Sequence, residues 1–221
     1  TDLSMALFVV ATPIGNAADF SLRALQVLKD AELIIGEELK VLRQTLKSAG
    51  VQGTALEQLN EHSDARDIAH FVAECASKMV ALVSDCGTPG FCDPGADLVK
   101  ACVQAGIAVR PVPGASSLMT LLSVCGERVD QFFFYGFLPA KNEDRSKALA
   151  ELKKEKRAFI VMETPYRSAK LMGELREHFP QRRIVVGCDL TSEREQILRA
   201  RGKDLPTPTG DFEPIALVLA D

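Results

Sequence analysis

An alternation of short apolar runs with amphipathic segments constrains the fold of this chain most strongly. The runs "ALFVVA" (6–11), "ELIIG" (32–36) and "MVALVS" (79–84) are rich in aliphatic and β-branched residues, which is typical of strands buried on both faces. The intervening segments 21–31, 37–48 and 63–77 carry apolar residues at helical spacing. The pattern predicts a parallel sheet covered by helices on both faces.

The ends of these predicted helices carry recognisable capping signals. Ser21 and Ser63 are expected as N-caps, and Gly50 follows the second helix. Further along, "GADLVKACVQAG" (95–106) predicts a helix closed by Gly106, and "IAVRPV" (107–112) predicts a strand.

The prolines and glycine of "PVPGASS" (111–117) interrupt this pattern and predict a boundary between domains 1–112 and 113–221. The second domain is expected to be mixed α/β, with a helix over 118–126, strands over 131–139, 157–163 and 182–190, and helices over 143–155 and 164–179. Segments 195–205 and 214–221 are expected to close it as an antiparallel pair. The predicted fold class is therefore a two-domain α/β protein, mostly parallel in its N-terminal sheet and mixed in its C-terminal sheet.

Composition excludes several classes of protein. No stretch approaches 18 uninterrupted apolar residues, so no membrane span is expected. The start lacks a basic region and a small-residue cleavage site, which favours a cytoplasmic location. The six cysteines form no C-x-x-C pair, so we expect free thiols and no metal site.

Charge is unevenly distributed along the chain. The net charge is −4, but residues 1–112 carry 9 basic and 14 acidic side chains while residues 113–221 carry 17 and 16. Two basic clusters, within 141–157 and 182–203, account for the difference. They favour either solvated faces or a local footprint for an anionic ligand.

Two loops rich in turn residues follow predicted parallel strands. These are "TPIGN" (12–16) after the first strand and "DCGTPGFCDPG" (85–95) after the third. The crevice beyond the carboxyl ends of parallel strands is where open α/β sheets bind ligands, and glycines there let the backbone approach a ligand closely. The sequence therefore predicts a small-molecule site, the alternative being an elaborate connector. It has no P-loop, no G-x-G-x-x-G and no G-x-S-x-G motif.

Three long motifs, "ATPIGNAADFSLRAL", "SDCGTPGFCDPGADLV" and "PVPGASSLMTLLSVCG", occur in order with "GFLPAK" and "ETPYR". Together they resemble the tetrapyrrole (corrin/porphyrin) methylase superfamily, in particular a short form of its ribosomal RNA small subunit methyltransferase I branch. The resemblance implies two α/β domains, S-adenosylmethionine held in a cleft between them, and a homodimer. It also implies methylation of a cytidine ribose 2′-oxygen in 16S rRNA, with rRNA or the small ribosomal subunit as partner.

Matching the motifs position by position implies a set of cofactor contacts. They are Pro13 and Gly15 in the first loop, Asp85, Gly87, Thr88, Pro89 and Asp93 in the second, Ser116 in the third motif, and Pro165 in "METPYR". The alternative for Asp93 and Ser116 is that they are only helix caps. The alternative for Pro165 is that it is only the first residue of a helix.

A weakly acidic ribose hydroxyl benefits from a general base. Glu37 and Glu38, at the end of the second predicted strand, are the best-placed carboxylates and are the predicted catalytic residues; Glu163 and Tyr166 are similar candidates. The alternative for Glu37 and Glu38 is a pair of acids favoured by a helix N-terminus.

Two departures bear on the substrate. Where the rRNA branch typically carries "EDTRRTR", this chain has "EELKVLR" (37–43), and it ends before the extra C-terminal segment of that branch. Two other readings therefore stay open: methylation of a small molecule such as a tetrapyrrole, and a non-catalytic nucleotide-binding module of the same fold.

Overall fold

The computed structural model describes residues 5–220. The first four residues of the predicted N-terminal domain, and Asp221 at the end of the predicted last strand, lie outside the described residues. The chain divides into two compact units, one ending at Ser116 and the next beginning at Ser117.

The first unit is a five-stranded parallel sheet, within the described residues, flanked by helices. The strand order is β3-β2-β4-β1-β5. In chain order the elements are β1 (Ala6–Val10), α1 (Leu22–Asp30), β2 (Leu33–Gly36), α2 (Leu39–Ser48), β3 (Ala55–Gln58), α3 (Ala65–Ser77), β4 (Met79–Leu82), α4 (Gly95–Gln104) and β5 (Val109–Val112).

Helices cover both faces of this sheet, as the sequence predicts. Alternate strand residues such as Phe8 and Ile34 pack against α1 and α2, whereas Leu7 and Ile35 pack against α3 and α4. The nearly continuous apolar composition of these strands follows from this burial on both sides.

One predicted N-cap is confirmed and one is wrong. The Ser21 hydroxyl accepts a hydrogen bond from the Ala24 amide at 3.0 Å, whereas α3 is capped by Asp64. Asp64 accepts from the Asp67 amide at 3.2 Å while the Asp67 carboxylate accepts from the Asp64 amide at 2.8 Å. The helix therefore starts one residue later than predicted, because Asp64 and Asp67 form a reciprocal capping box.

The two edge strands of this sheet, β3 and β5, contain residues that are unusual in a buried strand. The sequence pattern does not predict β3, a half-exposed strand of four residues with polar Glu57 and Gln58. Pro111 lies in β5, and such a residue is tolerated because an edge strand leaves outward peptide groups unpaired.

The second unit has a mixed five-stranded sheet, within the described residues, in the order β6-β7-β10-β8-β9. Among the described neighbouring pairs, only β6 and β7 pair in parallel, and the other three pairs are antiparallel. Its elements are α5 (Ser117–Val124), β6 (Phe132–Phe137), α6 (Asn142–Leu152), β7 (Ala158–Met162), α7 (Ser168–His178), β8 (Arg183–Cys188), β9 (Gln196–Arg201) and β10 (Pro214–Val218).

The predicted closing pair of β9 and β10 is wrong. Strand β10 inserts between β7 and β8, and β9 pairs only with the outer side of β8. The reason is burial: all five residues of β10 are apolar or proline and buried, whereas β9 has three exposed and three partly buried positions and no buried one. A strand buried on both faces is stabilised at the centre of a sheet.

One arginine of the second basic cluster has a structural role. The Arg182 guanidinium donates to the carbonyls of Leu219, Glu155 and Arg157 at 2.7, 2.9 and 2.9 Å. It is 8% exposed, so it joins segments of the unit. None of the helices within residues 5–220 is long and apolar enough to cross a membrane.

Candidate functional site

Four loops leave the same edge of the first sheet. They follow the carboxyl ends of β1, β2, β4 and β5 and comprise residues 11–21, 37–38, 83–94 and 113–116, which we call the loop edge. The connection after β1 leads to one face of the sheet, and that after the neighbouring β4 leads to the other. Open α/β sheets form their ligand crevices where adjacent connections diverge in this way.

A pair of backbone hydrogen bonds joins the loop after β1 to the loop after β4. The Thr12 amide donates to the Gly87 carbonyl at 2.9 Å, and the Gly87 amide donates to the Thr12 carbonyl at 3.1 Å. Gly87 has φ of +76°, and a Cβ there would lie 3.3 Å from the Ile14 side chain. The positive φ and this tight contact therefore favour glycine at the bridge.

The loop after β5 is tied to the same cluster. The Thr88 hydroxyl donates to the Ala115 carbonyl at 3.2 Å, and a Cβ on Gly114 would lie 3.1 Å from that of Ala11. Ser116 is half-buried at the end of this loop, directly before α5. The three motifs thus come together at one edge.

Asp93 holds its own loop. Its carboxylate accepts from the Gly90 amide at 2.9 Å and from the Gly95 amide at 2.8 Å, at the start of α4. Pro89 beside it is buried. These contacts fit the structural alternative for Asp93, a carboxylate that shapes the loop before a helix.

Asp85 and the pair Glu37 and Glu38 lie together at the loop edge. The Asp85 carboxylate accepts from the Glu38 amide at 3.2 Å. The Glu38 carboxylate accepts from the Lys40 amide at 3.2 Å and is the N-cap of α2, so its helix-terminus alternative describes the structure. Glu37 precedes it, and its side chain is half-buried.

Burial and neighbouring charge alter two of these carboxyls. Burial, followed by the negative charges of Asp85, Asp93 and Glu61, raises the pKa of Glu37 above its ordinary value. Burial also raises the pKa of Asp85, partly offset by the hydrogen bond from the Glu38 amide. Raising the pKa of a carboxyl strengthens its conjugate base.

The remaining predicted contacts belong to two different segments of the chain. Pro13 is half-buried and Gly15 exposed within the first loop. Pro165 lies in the second unit, where it opens a 3-10 turn (Pro165–Arg167) after β7. Tyr166 is 73% exposed, with the Arg167 guanidinium 5.2 Å from its ring centre.

Glu163 is a structural residue, contrary to its candidacy as a base. It is 1% exposed, and its two oxygens accept from Arg145 at 2.6 Å and from Arg167 at 2.9 Å. Arg145 also binds Glu174 through two nitrogens, at 2.7 Å each. A carboxylate held by two guanidiniums has no oxygen ready to take a proton.

Sequence reasoning missed Thr12, whose backbone forms the bridge and whose hydroxyl donates to the Ser84 carbonyl at 3.4 Å. It is 1% exposed. The available signal is a polar residue directly after a buried strand. Within residues 5–220 no group of three or more His, Cys, Asp or Glu side chains is arranged to hold a metal ion.

Comparison with known proteins gives a consistent result. A family profile described as Tetrapyrrole (Corrin/Porphyrin) Methylases matches residues 6–206. The chain is 39% identical over 203 residues to the Ribosomal RNA small subunit methyltransferase I of Neisseria meningitidis serogroup B, covering 91% of this chain and 69% of that protein. It is 34% identical over 212 residues to the protein of the same name from Leptospira biflexa, covering 93% and 88%.

Solved structures share the fold at low sequence identity. A crystal structure of diphthine synthase superposes with a TM-score of 0.70 at 14% identity, covering 97% of this chain and 90% of that one. The methyltransferase CobJ gives 0.68 at 19%, covering 98% and 95%. The uroporphyrin-III C-methyl transferase of Thermus thermophilus, complexed with S-adenosyl homocysteine, gives 0.65 at 16%, covering 96% and 97%. The predicted two-sheet α/β fold class is confirmed.

Proposed function

The chain belongs to the tetrapyrrole (corrin/porphyrin) methylase family of methyltransferases, and we propose that it transfers the methyl group of S-adenosylmethionine to the 2′-oxygen of a cytidine ribose in small-subunit rRNA. One observation carries the choice of acceptor. The relatives from Neisseria meningitidis and Leptospira biflexa, aligned over nine-tenths of this chain, are both named Ribosomal RNA small subunit methyltransferase I. The tetrapyrrole and diphthine enzymes resemble the chain in fold alone.

The loop edge suits the methyl donor on chemical grounds. When bound, S-adenosylmethionine supplies a methyl carbon attached to a positively charged sulfur. The partly exposed carboxylate of Asp85 can accept hydrogen bonds from ribose hydroxyls or stabilise that positive charge. Gly87 and Gly90, with φ of +76° and +80°, leave main-chain groups free of side chains. Asp85, Gly87 and Thr88 are therefore the residues that we propose hold the donor.

We assign the general base to Glu37. Its half-buried carboxyl has a raised pKa, which brings proton affinity closer to that needed near neutral pH. Glu37 would accept the proton of the ribose hydroxyl as that oxygen bonds to the methyl carbon, while the carbon–sulfur bond breaks and S-adenosylhomocysteine leaves. Glu38 serves α2 as its cap and holds Asp85 through its amide.

The decisive experiment supplies the protein with methyl-tritiated S-adenosylmethionine and small ribosomal subunits from cells that lack it. The expected result is label in 16S rRNA, at a 2′-O-methylated cytidine after nuclease digestion. A parallel reaction with a tetrapyrrole tests the small-molecule alternative. Label in the tetrapyrrole instead, or none in any acceptor, contradicts the proposal.

We also propose that the protein forms a homodimer, because the resemblance to the family implies one. Light scattering coupled to size-exclusion chromatography measures it directly, and a mass near 24 kDa, that of one chain, would contradict it.

A further inference from the structure

An arginine occupies a strand position that faces the apolar layer under α1. Arg110 of β5 lies opposite Phe8 of β1. Phe8 belongs to the core beneath α1, and so does Val112, two residues after Arg110 on the same strand. Because side chains alternate across a strand, Arg110 points to this same face. An apolar residue is expected there.

Arg110 is half-buried, and one nitrogen of its guanidinium lacks a hydrogen-bond partner. Its Nε atom is buried and makes no hydrogen bond to any of residues 5–220. Buried polar groups are almost always hydrogen-bonded, and an unsatisfied one calls for an explanation such as an unfilled ligand position.

This side chain lines a cavity of about 520 Å³, a volume in the range of small-molecule sites. The apolar part of its wall comes from Phe8, Val27 and Met79. Arg23 and Asp30, on α1, complete it together with Pro111.

Two arginines, Arg23 and Arg110, and one carboxylate, Asp30, line the cavity, and the carboxylate is hydrogen-bonded to Gln26. Asp30 accepts both hydrogen bonds from the Gln26 amide, at 2.9 and 2.8 Å. Arg23 donates one hydrogen bond, to the Pro111 carbonyl at 3.2 Å. Within residues 5–220, neither Arg23 nor Arg110 makes an ion pair within 4.0 Å.

We infer that this cavity is a second binding site, separate from the loop edge, for a nucleotide whose phosphate is bound by Arg23 and Arg110. A phosphate monoester, with three terminal oxygens and a charge of about −2, can serve two guanidiniums at once, whereas one guanidinium saturates a carboxylate. The apolar wall suits the flat face of a base. This inference does not depend on methyl transfer by the protein.

The test is isothermal titration of the intact protein with AMP, GMP, CMP and UMP, and with the corresponding uncharged nucleosides. Saturating S-adenosylhomocysteine is present throughout, to occupy the proposed donor site. We expect at least one mononucleotide to bind, and its nucleoside to bind about tenfold or more weakly, because the charge-assisted hydrogen bonds are lost. A 5′-phosphorylated RNA tetranucleotide forms a second arm: tighter binding than the mononucleotide identifies an RNA end as the source of the ligand, and weaker binding identifies the free nucleotide.

Substitutions of opposite sign separate charge from damage to the fold. Arg110→Gln and Arg23→Gln should each weaken binding by about 10- to 100-fold. Asp30→Asn should tighten it about two- to fivefold by removing a repulsive charge. Arg128→Gln, at an exposed arginine of the second unit, is the matched control and should change nothing.

If Arg110→Gln fails to fold, Arg23→Gln carries the test, since Arg23 is exposed on α1. An inward charge on an edge strand can also act to discourage strand association, and that role predicts no nucleotide binding. Absence of binding, or equal binding by the wild type and both arginine variants, overturns the inference.

Discussion

Gly87 is the residue on which the geometry of the loop edge depends most directly. Its φ of +76° strains any residue with a side chain, and a Cβ would lie only 3.3 Å from the Ile14 side chain, which would have to shift. Gly87→Ala should therefore lower the free energy of unfolding by about 1–2 kcal/mol and weaken S-adenosylhomocysteine binding by at least about tenfold, or about 1.4 kcal/mol. Calorimetric titration and urea denaturation measure the two effects.

Gly106 provides a matched control for this substitution. It has a similar φ of +72° and nothing within 4 Å of a Cβ, at the end of α4. Gly106→Ala should cost comparable stability and leave S-adenosylhomocysteine binding intact. Equal loss of binding in both variants would show that the effect comes from stability alone.

Glu37 determines the expected pH dependence. Its raised pKa means that it takes up a proton at a higher pH than an ordinary glutamate does, and the protonated form cannot act as a base. The rate should therefore fall as the pH falls through this raised value. Glu37→Gln should lower kcat/KM about 100-fold or more and abolish the acidic limb of the kcat/KM profile measured with ribosomal subunits.

Glu38→Gln is the control for this prediction, since Glu38 is exposed and caps α2. The acidic limb should survive that change. A profile that keeps its limb in Glu37→Gln and loses it in Glu38→Gln would reverse the assignment.

Single residues also mark the limit of sequence reasoning at the site. The grouping of Asp85 with Glu37 and Glu38 is predictable, because parallel strands deliver their carboxyl ends to one edge. The fate of Glu163 is not, because its partner Arg145 lies 18 residues away along the chain. Only the packing of α6 against β7 and α7 brings the two together.

Among the elements, the start of α6 is fixed by a buried ion network. Arg145 is 1% exposed and binds Glu163, Glu174 and the Pro139 carbonyl. Burial opposes its charge, but the hydrogen bonds that it donates to the Glu174 and Glu163 carboxylates raise its pKa overall. Arg145→Met should lower the free energy of unfolding by about 3–5 kcal/mol, because the half-buried carboxylate of Glu174 loses its cation and the buried carboxylate of Glu163 keeps only Arg167.

Lys147→Met, on the same helix, is the comparison for that urea-denaturation measurement. Lys147 and its partner Glu143 are 68% and 81% exposed, and an exposed pair contributes little. If the two variants unfold at the same urea concentration, the network has no stabilising role.

Strand order shows which element-level features a sequence carries. "PIALV" has no charged or polar side chain, whereas half of the residues of "QILRAR" are polar or charged, and this difference was available to place β10 centrally and β9 at an edge. The short strand β3 carries too few apolar residues to stand out from a loop. Its pairing with β2 is decided by the neighbouring strand.

On the scale of the whole molecule, the salt dependence of binding should distinguish rRNA from S-adenosylhomocysteine. Residues 113–221 carry 17 basic side chains against 9 in residues 1–112, although the chain is acidic overall. Binding to rRNA should weaken steeply with added salt, each phosphate contact adding about 0.7–0.9 to the slope of log K against log salt. Binding of S-adenosylhomocysteine should change far less, and filter binding with calorimetry compares them. A flat salt dependence for RNA would contradict an rRNA substrate.

The reciprocal hydrogen bonds between Thr12 and Gly87 have a kinetic consequence. Since each amide is protected by the other residue's carbonyl, neither proton can exchange with deuterium unless the pair separates. The two amides should therefore share one opening equilibrium and show the same protection factor, and a ligand that slows exchange of one should slow the other by the same factor. The two loops, joined by residues 75 positions apart in the chain, would then separate and re-form their hydrogen bonds in one cooperative step.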